Sequence, residues 1–370
     1  MRRIRICQLI TELRPAGAER CVLELARRID ADRFDVRVAA LRGGPVADAL
    51  RQAGIEVEVL NVRGKWDAVK LGRLAALLRR WRIDLLHTHL FHADLVGRPA
   101  AHLAGVRHLV HTVHVAEARF RPWHFAFARL AAGLCDRIVC VSAAVMEHHR
   151  RRSGLPRSRY TVIPNGIDVD AFARDPAARR RLRRQWAVAE DQVVAAFVGR
   201  LDRQKGPDVL IRAMDSLQGR MTSPNVHLLI AGDGPMRGQV AKMIERSRLG
   251  GSVRLLGFTD DVSGLLSAAD ILVMPSRWEG FGLAAAEAMA AGLPVVATRV
   301  AGLEELVTHE RTGLLVGRED CEGLAGAVAR VAADPDLRRA MGQAGRDRVA
   351  AHYSIEANVA AHERLYAGVL

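Results

Sequence analysis

The sequence has few of the features that stabilise extracellular or membrane-spanning proteins. Its five cysteines are scattered and none forms a Cys-x-x-Cys pair, so neither a disulfide framework nor a zinc knuckle is predicted. No uninterrupted apolar stretch approaches the roughly 20 residues that span a bilayer. The basic start, MRRIRICQLITELR, has its apolar part broken by Arg5 and Gln8, which favours a first strand over a signal peptide. These absences predict a protein of the reducing cytoplasm.

Acidic residues are scarce in the first half only. Residues 1–170 contain 29 Lys and Arg against 17 Asp and Glu, whereas the remainder contains 26 against 24. The basic half suits an anionic partner, such as a phosphate-bearing ligand, a membrane surface or nucleic acid. A coding bias towards Arg and Ala explains the same numbers. Because no recognised nucleic-acid-binding motif is present, nucleic acid is not expected as a partner.

The composition is that of a globular protein, with 49% hydrophobic and 26% charged residues among 370, a length that favours two domains. Short β-branched runs alternate with helical patterns, which predicts parallel sheets covered by helices on both faces. The predicted strands are IRICQLI, DVRVAAL, EVEVLNV, DLLHTH, HLVHTV and RIVCVS in the first half, and VVAAFVGR, VHLLIAG, VRLLGF, DILVMP, PVVAT and GLLV in the second. The expected fold class is α/β, with two doubly wound domains.

The boundaries follow from the strand pattern. We predict a first domain at 1–170, a linker at 171–192, a second domain at 193–354 and a final helix at 355–370. The linker holds RDPAARRRLRRQW, and its run Arg179–Arg184 is predicted to be a solvated helix face. Because ligands of open parallel sheets bind beyond the carboxyl ends of the strands, residues that directly follow strands are the site candidates.

Three strand ends carry anion-binding features. TELRPAGAER follows the first strand, and Gly17 lies where a helix begins, so its amide and the helix dipole would attract an anion. A simple turn is the alternative, and the dinucleotide fingerprint Gly-x-Gly-x-x-Gly is missing. GRLDRQKG contains Arg200 and Lys205, two cations that suit a pyrophosphate unless both are solvated. AGDGP, with Gly232, allows close backbone approach to a ligand.

RWEGFGLAAAEAMAAGLPVVAT contains two carboxylates, Glu279 and Glu287, with seven residues between them. Gly280 and Gly282 leave the amides of the turn accessible where a helix begins, which is again an anion site. A helix-dipole contact is the simple explanation of Glu287. Carboxylates also accept hydrogen bonds from vicinal hydroxyls, as they do from ribose in dinucleotide-binding folds. Phosphate-binding groups beside hydroxyl-binding carboxylates describe a nucleotide sugar.

Together these segments resemble the retaining glycosyltransferases of family 4, and among them the bacterial enzymes of cell-envelope polysaccharide and lipid glycosylation. The matching pieces are AGAER, PNGID, GR…KG, AGDGP, LLGFTDD and the Glu279–Glu287 segment, in the family's order from residue 8 to about 316. The resemblance implies a GT-B fold, in which two Rossmann-like domains face each other across a cleft. The acceptor would bind the first domain and the donor the second, and residues 355–370 would cross back to the first.

The resemblance also implies roles for individual residues. Glu287 would bind the donor ribose and Glu279 the transferred sugar, while Arg200 and Lys205 would stabilise the leaving diphosphate. His114 would lie near the transferred sugar, and it is preferred to His111 because it lies just past a strand. The implied catalytic residues are His114, Arg200, Lys205 and Glu279. The implied donor-binding residues are Gly17, Gly199, Gly232, Phe258, Gly280, Phe281, Gly282, Leu283 and Glu287.

Neither a metal nor another cofactor is expected. His87 and His89 share a strand face and could hold a metal with Asp94, but packing or lining of an acceptor pocket is favoured. Asp260 and Asp261 are interpreted as helix caps. We therefore expect metal-independent transfer with retained anomeric configuration, by the same-face displacement that the family is thought to use.

The segment EARFRPWHFAFARL has two interpretations, which bear on the identity of the acceptor. Aromatic and basic residues alternate in it: Phe120, Trp123, Phe125 and Phe127 among Arg119, Arg121 and Arg129. It could dock on an anionic membrane surface and so serve a lipid-linked or envelope-glycan acceptor. Alternatively the aromatic residues fill the core, which we favour for Trp123 and Phe127. Rival functions are a nucleotide-sugar epimerase or phosphorylase of the same fold and a non-catalytic nucleotide-binding protein.

Overall fold

The chain forms two compact units, each with its own sheet. Met1–Gly166 and Ile355–Leu370 belong to the first unit, and Ile167–Ser354 to the second. The computed structural model describes residues 2–62, 68–115, 120–218 and 226–370. The predicted α/β fold class with two doubly wound units is confirmed, because both sheets are parallel and carry helices.

Within the described residues, the first unit has seven strands in the order β3-β2-β1-β4-β5-β6-β7. The strands are β1 Ile4–Glu12, β2 Phe34–Arg42, β3 Glu56–Val59, β4 Leu85–His89, β5 His108–Val113, β6 Arg137–Cys140 and β7 Tyr160–Val162. The helices are α1 Gly17–Arg28, α2 Val46–Gln52, α3 Ala68–Arg80, α4 Phe91–Ala104, α5 Pro122–Leu130, α6 Ala143–Ser153 and the C-terminal helix, with short 3-10 turns at Ala132–Leu134 and Arg157–Arg159.

The second unit has six strands among its described residues, in the order β10-β9-β8-β11-β12-β13. The strands are β8 Val193–Val198, β9 Val226–Ala231, β10 Val253–Gly257, β11 Ile271–Met274, β12 Val295–Thr298 and β13 Gly313–Val316. The helices are α7 Pro176–Gln185, α8 Pro207–Gln218, α9 Arg237–Glu245, α10 Val262–Ala268, α11 Leu283–Ala290, α12 Ala301–Leu306, α13 Cys321–Ala333 and α14 Pro335–His352, with a 3-10 turn at Gly250–Ser252. The C-terminal helix of the chain, α15 Ile355–Val369, packs in the first unit.

Each sheet has a point at which the strand order reverses direction, between β1 and β4 in the first unit and between β8 and β11 in the second. Loops that leave the carboxyl ends of such neighbouring strands separate to opposite faces and open a ligand-binding crevice. The central strands are buried on both faces, as parallel sheets require. The strand ends at these two points are therefore the places to examine for function.

All twelve predicted strands are present. Among the described residues, β7 is the one strand that was not predicted, because it has only three residues. Asp261 caps α10 by accepting a hydrogen bond from the Gly264 amide, as predicted. The stretch predicted as a linker holds α7, and the prediction of a solvated helix face at Arg179–Arg184 is wrong for Arg183. Arg183 is fully buried, and its guanidinium donates to the carbonyls of Ala189 and Gln192. No helix in the described part of the chain is long and apolar enough to cross a membrane.

Candidate functional site

In the second unit, the loops after β8 and β11 bring two predicted site residues into contact. Lys205 Nζ lies 2.5 Å from Glu279 Oε1. Glu279 is 6% exposed, and its Oε1 also accepts a hydrogen bond from Ser276 Oγ at 2.9 Å. This ion pair joins a buried carboxylate to a partly exposed ammonium group. It lies where the strand order reverses, which is the place where an open α/β sheet binds its ligand.

Arg277, which the sequence analysis passed over, fixes the two loops to each other. Its guanidinium pairs with both carboxylate oxygens of Asp208, at 2.9 and 2.7 Å, and its Nη1 donates to the Arg203 carbonyl at 2.9 Å. The Arg277 amide donates to the Gln204 carbonyl at 2.7 Å. Hydrogen bonding to Asp208, followed by that to Glu319, raises the pKa of Arg277. A bidentate ion pair of this kind holds Lys205 and Glu279 in register.

Glycines let the strand ends of β8, β9 and β10 lie against one another. A Cβ on Gly232, where φ is +141°, would lie 1.9 Å from the Gly199 carbonyl oxygen. The Gly232 amide donates to the Gly257 carbonyl at 2.7 Å. The predicted residues Gly199 and Gly232 are thus brought together, and the Lys205 side chain passes beside Gly199. Phe258 follows Gly257 directly and is 56% exposed.

The turn into α11 is built by close backbone contact. Gly282 is the N-cap of α11 with φ +96°, a left-handed conformation that favours glycine. Gly280 and Phe281 lie against Gly302, since a Cβ on Gly302 would be 2.6 Å from the Gly280 carbonyl carbon. Phe281 is buried and packs edge-on against Tyr353. Leu283 begins α11, whose first amides and dipole form an anion-binding end.

Two further predicted residues of this unit are not part of the Lys205–Glu279 pair. Glu287 lies about one turn into α11 and is 4% exposed. Arg200 is half exposed and turns towards its own loop, where its Nη2 lies 2.5 Å from Asp202 Oδ2. Asp202 also accepts a hydrogen bond from the Lys205 amide at 3.1 Å. Arg200 therefore lies on the same loop as Lys205 and keeps one solvated face.

In the first unit, His114 lies directly after β5 and contacts His89, the last residue of β4. His89 Nδ1 and His114 Nε2 are 3.0 Å apart. Burial, followed by the charges of His111 and His362, lowers the pKa of His114 to about 3, so its ring is neutral at pH 7. Gly17 is exposed at the start of α1, beyond the carboxyl end of β1.

His114 lines a cavity of about 220 Å³. Aromatic rings form one wall, namely Phe91, Phe120, His124, Phe125 and Phe127. Polar groups form another, among them Thr11, Asp94 and His111. Within the described residues, Thr11 Oγ1 and His114 Nδ1 are buried and have no hydrogen-bond partner. An apolar cavity with a few converging polar atoms is the usual form of a small-molecule site.

An ion pair supports the floor of this cavity. Arg98 Nη2 lies 2.8 Å from Asp94 Oδ2, and both side chains are almost completely buried. Thr88 Oγ1 donates to Asp94 at 3.0 Å, and His111 Nδ1 lies 3.4 Å from the same carboxylate. Burial opposes ionisation of Asp94, but His111 and Arg98 outweigh it and lower the pKa of Asp94.

The two histidines considered for a metal, His87 and His89, make buried hydrogen bonds. His87 contacts Tyr366 and Thr112 at 2.7 Å each, and His89 contacts Gln8 and His114. In the described part of the chain, no group of three or more His, Cys, Asp or Glu side chains has a metal-binding arrangement.

The aromatic segment forms α5 and the residue before it, and Arg119 lies outside the described residues. Phe125 is buried at 3% exposure, but Trp123 is 44% exposed, so the interpretation of Trp123 as a core residue is wrong. Its ring stacks on His124, with centroids 3.9 Å apart. At i and i+7 of one helix, Trp123 and Leu130 share a face, and Leu130 is 86% exposed.

Comparisons with known proteins identify the family of the chain. The family model described as Glycosyl transferases group 1 matches residues 178–348, and that described as Glycosyltransferase Family 4 matches residues 15–171. Glycogen synthase of Mycobacterium tuberculosis is 33% identical over 78% of this chain and 69% of its own length.

Two further relatives extend the match over nearly the whole chain. The UDP-Gal:alpha-D-GlcNAc-diphosphoundecaprenol alpha-1,3-galactosyltransferase of Escherichia coli is 28% identical over 87% of this chain and 86% of its own. The crystal structure of Anabaena HepE in complex with UDP and glucose matches with a TM-score of 0.89 and 25% identity, covering 98% of this chain and all of that one. The chain therefore belongs to the glycosyltransferases and has the GT-B fold.

Proposed function

We propose that this glycosyltransferase moves a sugar from a nucleoside-diphosphate sugar to a hydroxyl acceptor, with retained anomeric configuration and without a metal ion. The observation that carries the proposal is the contact of Lys205 with Glu279, 2.5 Å apart at the carboxyl ends of β8 and β11. A cation there suits a diphosphate, and a buried carboxylate beside it suits sugar hydroxyls.

The donor would use the glycine-lined edge of the second unit. Its diphosphate would lie against the first amides of α11 and the cations Lys205 and Arg200, its ribose against Glu287, and its base near Phe258. Lys205 and Arg200 lie on the loop after β8, and Phe258 directly follows β10. Glu287 lies in α11. Anabaena HepE has been solved with UDP-glucose, which makes uridine sugars the first donors to test.

The reaction breaks the bond between the anomeric carbon and the diphosphate oxygen and forms a bond from that carbon to the acceptor oxygen. The acceptor proton passes to the leaving diphosphate, whose developing charge Lys205 and Arg200 stabilise. Preorganised charges of this kind supply a large part of catalysis in closed sites. Glu279 would orient the transferred sugar, and no carboxylate is assigned as a covalent nucleophile.

The test incubates the protein with UDP, GDP and ADP sugars in EDTA, with and without glycan acceptors. NMR would identify the anomeric configuration of the product, and thermal shift would rank the nucleotides. We expect transfer only with acceptor, with retained configuration and no loss in EDTA. A changed sugar without acceptor would instead identify an epimerase, and nucleotide binding without any turnover would identify a non-catalytic protein.

For the acceptor, we propose a lipid-linked glycan at an anionic membrane surface. The E. coli relative acts, by its name, on a sugar linked to diphosphoundecaprenol. In this chain Trp123 and Leu130 are exposed in the same segment as the exposed Arg121 and Arg129, a combination that suits the interface of an anionic bilayer.

Flotation with vesicles containing anionic lipid at low salt tests the membrane proposal. Leu130→Asp should reduce the bound fraction, because it removes apolar surface and adds a negative charge. The control Leu103→Asp changes a leucine of similar type, 51% exposed in α4, and should bind as the wild type does. If wild-type protein stays unbound, the membrane proposal is wrong.

A further inference from the structure

A continuous series of buried hydrogen bonds links the C-terminal helix to His114. Tyr366 of α15 is fully buried, and its hydroxyl lies 2.9 Å from Gln8 Nε2. Gln8 Oε1 lies 2.6 Å from His89 Nε2, and His89 Nδ1 lies 3.0 Å from His114 Nε2. We call these four residues, Tyr366, Gln8, His89 and His114, the relay chain. They come from α15, β1, β4 and the loop after β5, all within the first unit.

For the Gln8 amide orientation that the structure has, the donors and acceptors of the relay chain fix where each proton lies. Gln8 Nε2 can only donate, and it faces the Tyr366 hydroxyl; Gln8 Oε1 can only accept, so His89 Nε2 must carry a proton. Burial, followed by the charge of His87, lowers the pKa of His89 well below its usual value, so its ring is neutral and Nδ1 has no proton. His114 Nε2 must then donate to it, which leaves Nδ1 of the neutral His114 ring bare.

The neighbouring hydrogen bonds agree with this direction. Because the Tyr366 hydroxyl accepts from Gln8, its own proton is free to donate to His87 Nδ1, 2.7 Å away. The neutral His87 ring then carries its proton on Nε2 and donates to Thr112 Oγ1, also at 2.7 Å. Both ring nitrogens of His87 and His89 are thereby paired, as buried polar groups usually are, and His114 Nδ1 is the ring nitrogen of the relay chain left without a partner among the described residues.

The opposite set of proton positions also satisfies the hydrogen bonds within the relay chain, but it leaves a buried N–H group without an acceptor. With the Gln8 amide rotated by half a turn, every proton shifts and His114 Nδ1 becomes an N–H group. Within the described residues this nitrogen is buried without a partner. An orphaned buried N–H is rarer than an unused acceptor lone pair, so the first direction is favoured.

We infer that Tyr366, Gln8 and His89 are positioning residues, which hold His114 in the tautomer protonated on Nε2 and so leave Nδ1 as a hydrogen-bond acceptor for a hydroxyl of a bound sugar. This deepens the proposed function, on which the identity of the ligand rests. Because His114 Nδ1 then carries no proton, a ligand group that has lone pairs but no donor cannot form a hydrogen bond with it. The relay chain thereby makes the C-terminal helix part of the site's chemistry.

The direct test is the ¹⁵N spectrum of the histidine rings in the full-length, ligand-free protein. Long-range ¹H–¹⁵N correlations should show His114 with a protonated Nε2 and an unprotonated Nδ1. A single tautomer with the proton on Nδ1 would overturn the inference. Because the measurement needs neither donor nor acceptor, this outcome is independent of whether sugar transfer is ever detected.

Two tyrosine variants then separate positioning from packing. Tyr366→Phe removes the acceptor of the Gln8 amide, so the Nδ1–H form of His114 should rise to a measurable fraction and kcat should fall about 10-fold with little change in donor KM. Tyr160→Phe removes another buried hydroxyl of this unit, which contacts His149 at 2.8 Å, and should leave the His114 signals and kcat unchanged. Unaltered His114 signals in Tyr366→Phe would overturn the positioning role, even if its activity fell.

Discussion

The two units present different kinds of chemistry at equivalent ends of their sheets. The second unit places a charged pair, Lys205 and Glu279, on loops lined by glycine. The first unit places a neutral ring, His114, at the end of a buried hydrogen-bond chain. Fixed charges suit a diphosphate whose charge increases as a bond breaks, whereas a neutral acceptor suits an uncharged hydroxyl. If the proposed function is correct, we expect the second unit to stabilise the leaving group and the first to orient sugar hydroxyls.

The largest expected effect is selective loss of the first unit in acid. Burial lowers the pKa values of His87, His89 and His362, so the folded state holds them neutral while the unfolded chain takes up protons below about pH 6.5. Their contribution to the free energy of unfolding is complete above that pH and decreases below it. At pH 5 the loss is about 2 kcal/mol for each ring, or about 6 kcal/mol together.

Hydrogen exchange at pH 7.5 and pH 5 would measure this effect for each unit separately. Amides of β1 and β4 should lose protection in acid much more than those of β8 and β11. The second unit has a weaker response, since burial lowers the pKa of only the partly buried His227 among its described histidines. An equal loss of amide protection in both units at pH 5 would contradict this prediction.

The next largest effect contrasts a buried ion pair with an exposed one. Arg98→Met leaves Asp94 buried and charged without its partner, which should lower the free energy of unfolding by about 3–5 kcal/mol. In the second unit, Arg330→Met breaks a pair with Glu310 that is about half exposed, and should cost less than about 1 kcal/mol. Urea denaturation of both variants gives the comparison, and similar midpoints would show that the Asp94 site is more solvated than the structure indicates.

The two sites also differ in how far they could be predicted from the sequence. The strands of both units were predicted correctly because buried parallel strands are continuous apolar runs, and Lys205 and Glu279 were proposed as site residues because short, recognisable segments carry them. The relay chain joins Gln8, His89, His114 and Tyr366, which are distant in the sequence, and only tertiary packing brings them together. His89 was accordingly weighed as a metal ligand and Tyr366 was overlooked. The exposure of Arg183 and of Trp123 was predicted wrongly for the same reason, because periodicity does not reveal which neighbour covers a side chain.

A third prediction tests the charged pair itself. Lys205→Met should lower kcat by about 100-fold or more, because the leaving diphosphate loses a preorganised cation, with a smaller change in donor KM. Lys242→Met removes an exposed lysine from α9 of the same unit and serves as the control. Glu279→Gln should also reduce kcat while keeping the hydrogen bond to Ser276. Wild-type rates in both Lys205→Met and Glu279→Gln would show that the site has been assigned wrongly.

The smallest effect concerns the backbone on which that charged pair depends. Gly232→Ala places a methyl group where the Gly199 carbonyl oxygen lies, at a φ of +141°, and should lower the free energy of unfolding by about 1–3 kcal/mol. The strand end must shift, so donor affinity should fall while the Lys205–Glu279 contact remains. Gly238→Ala, in α9, meets no atom within 4 Å and should be neutral or slightly stabilising. Calorimetric titration with nucleotide would separate the cases: if Gly232→Ala binds as tightly as Gly238→Ala, the donor does not approach this edge of the sheet.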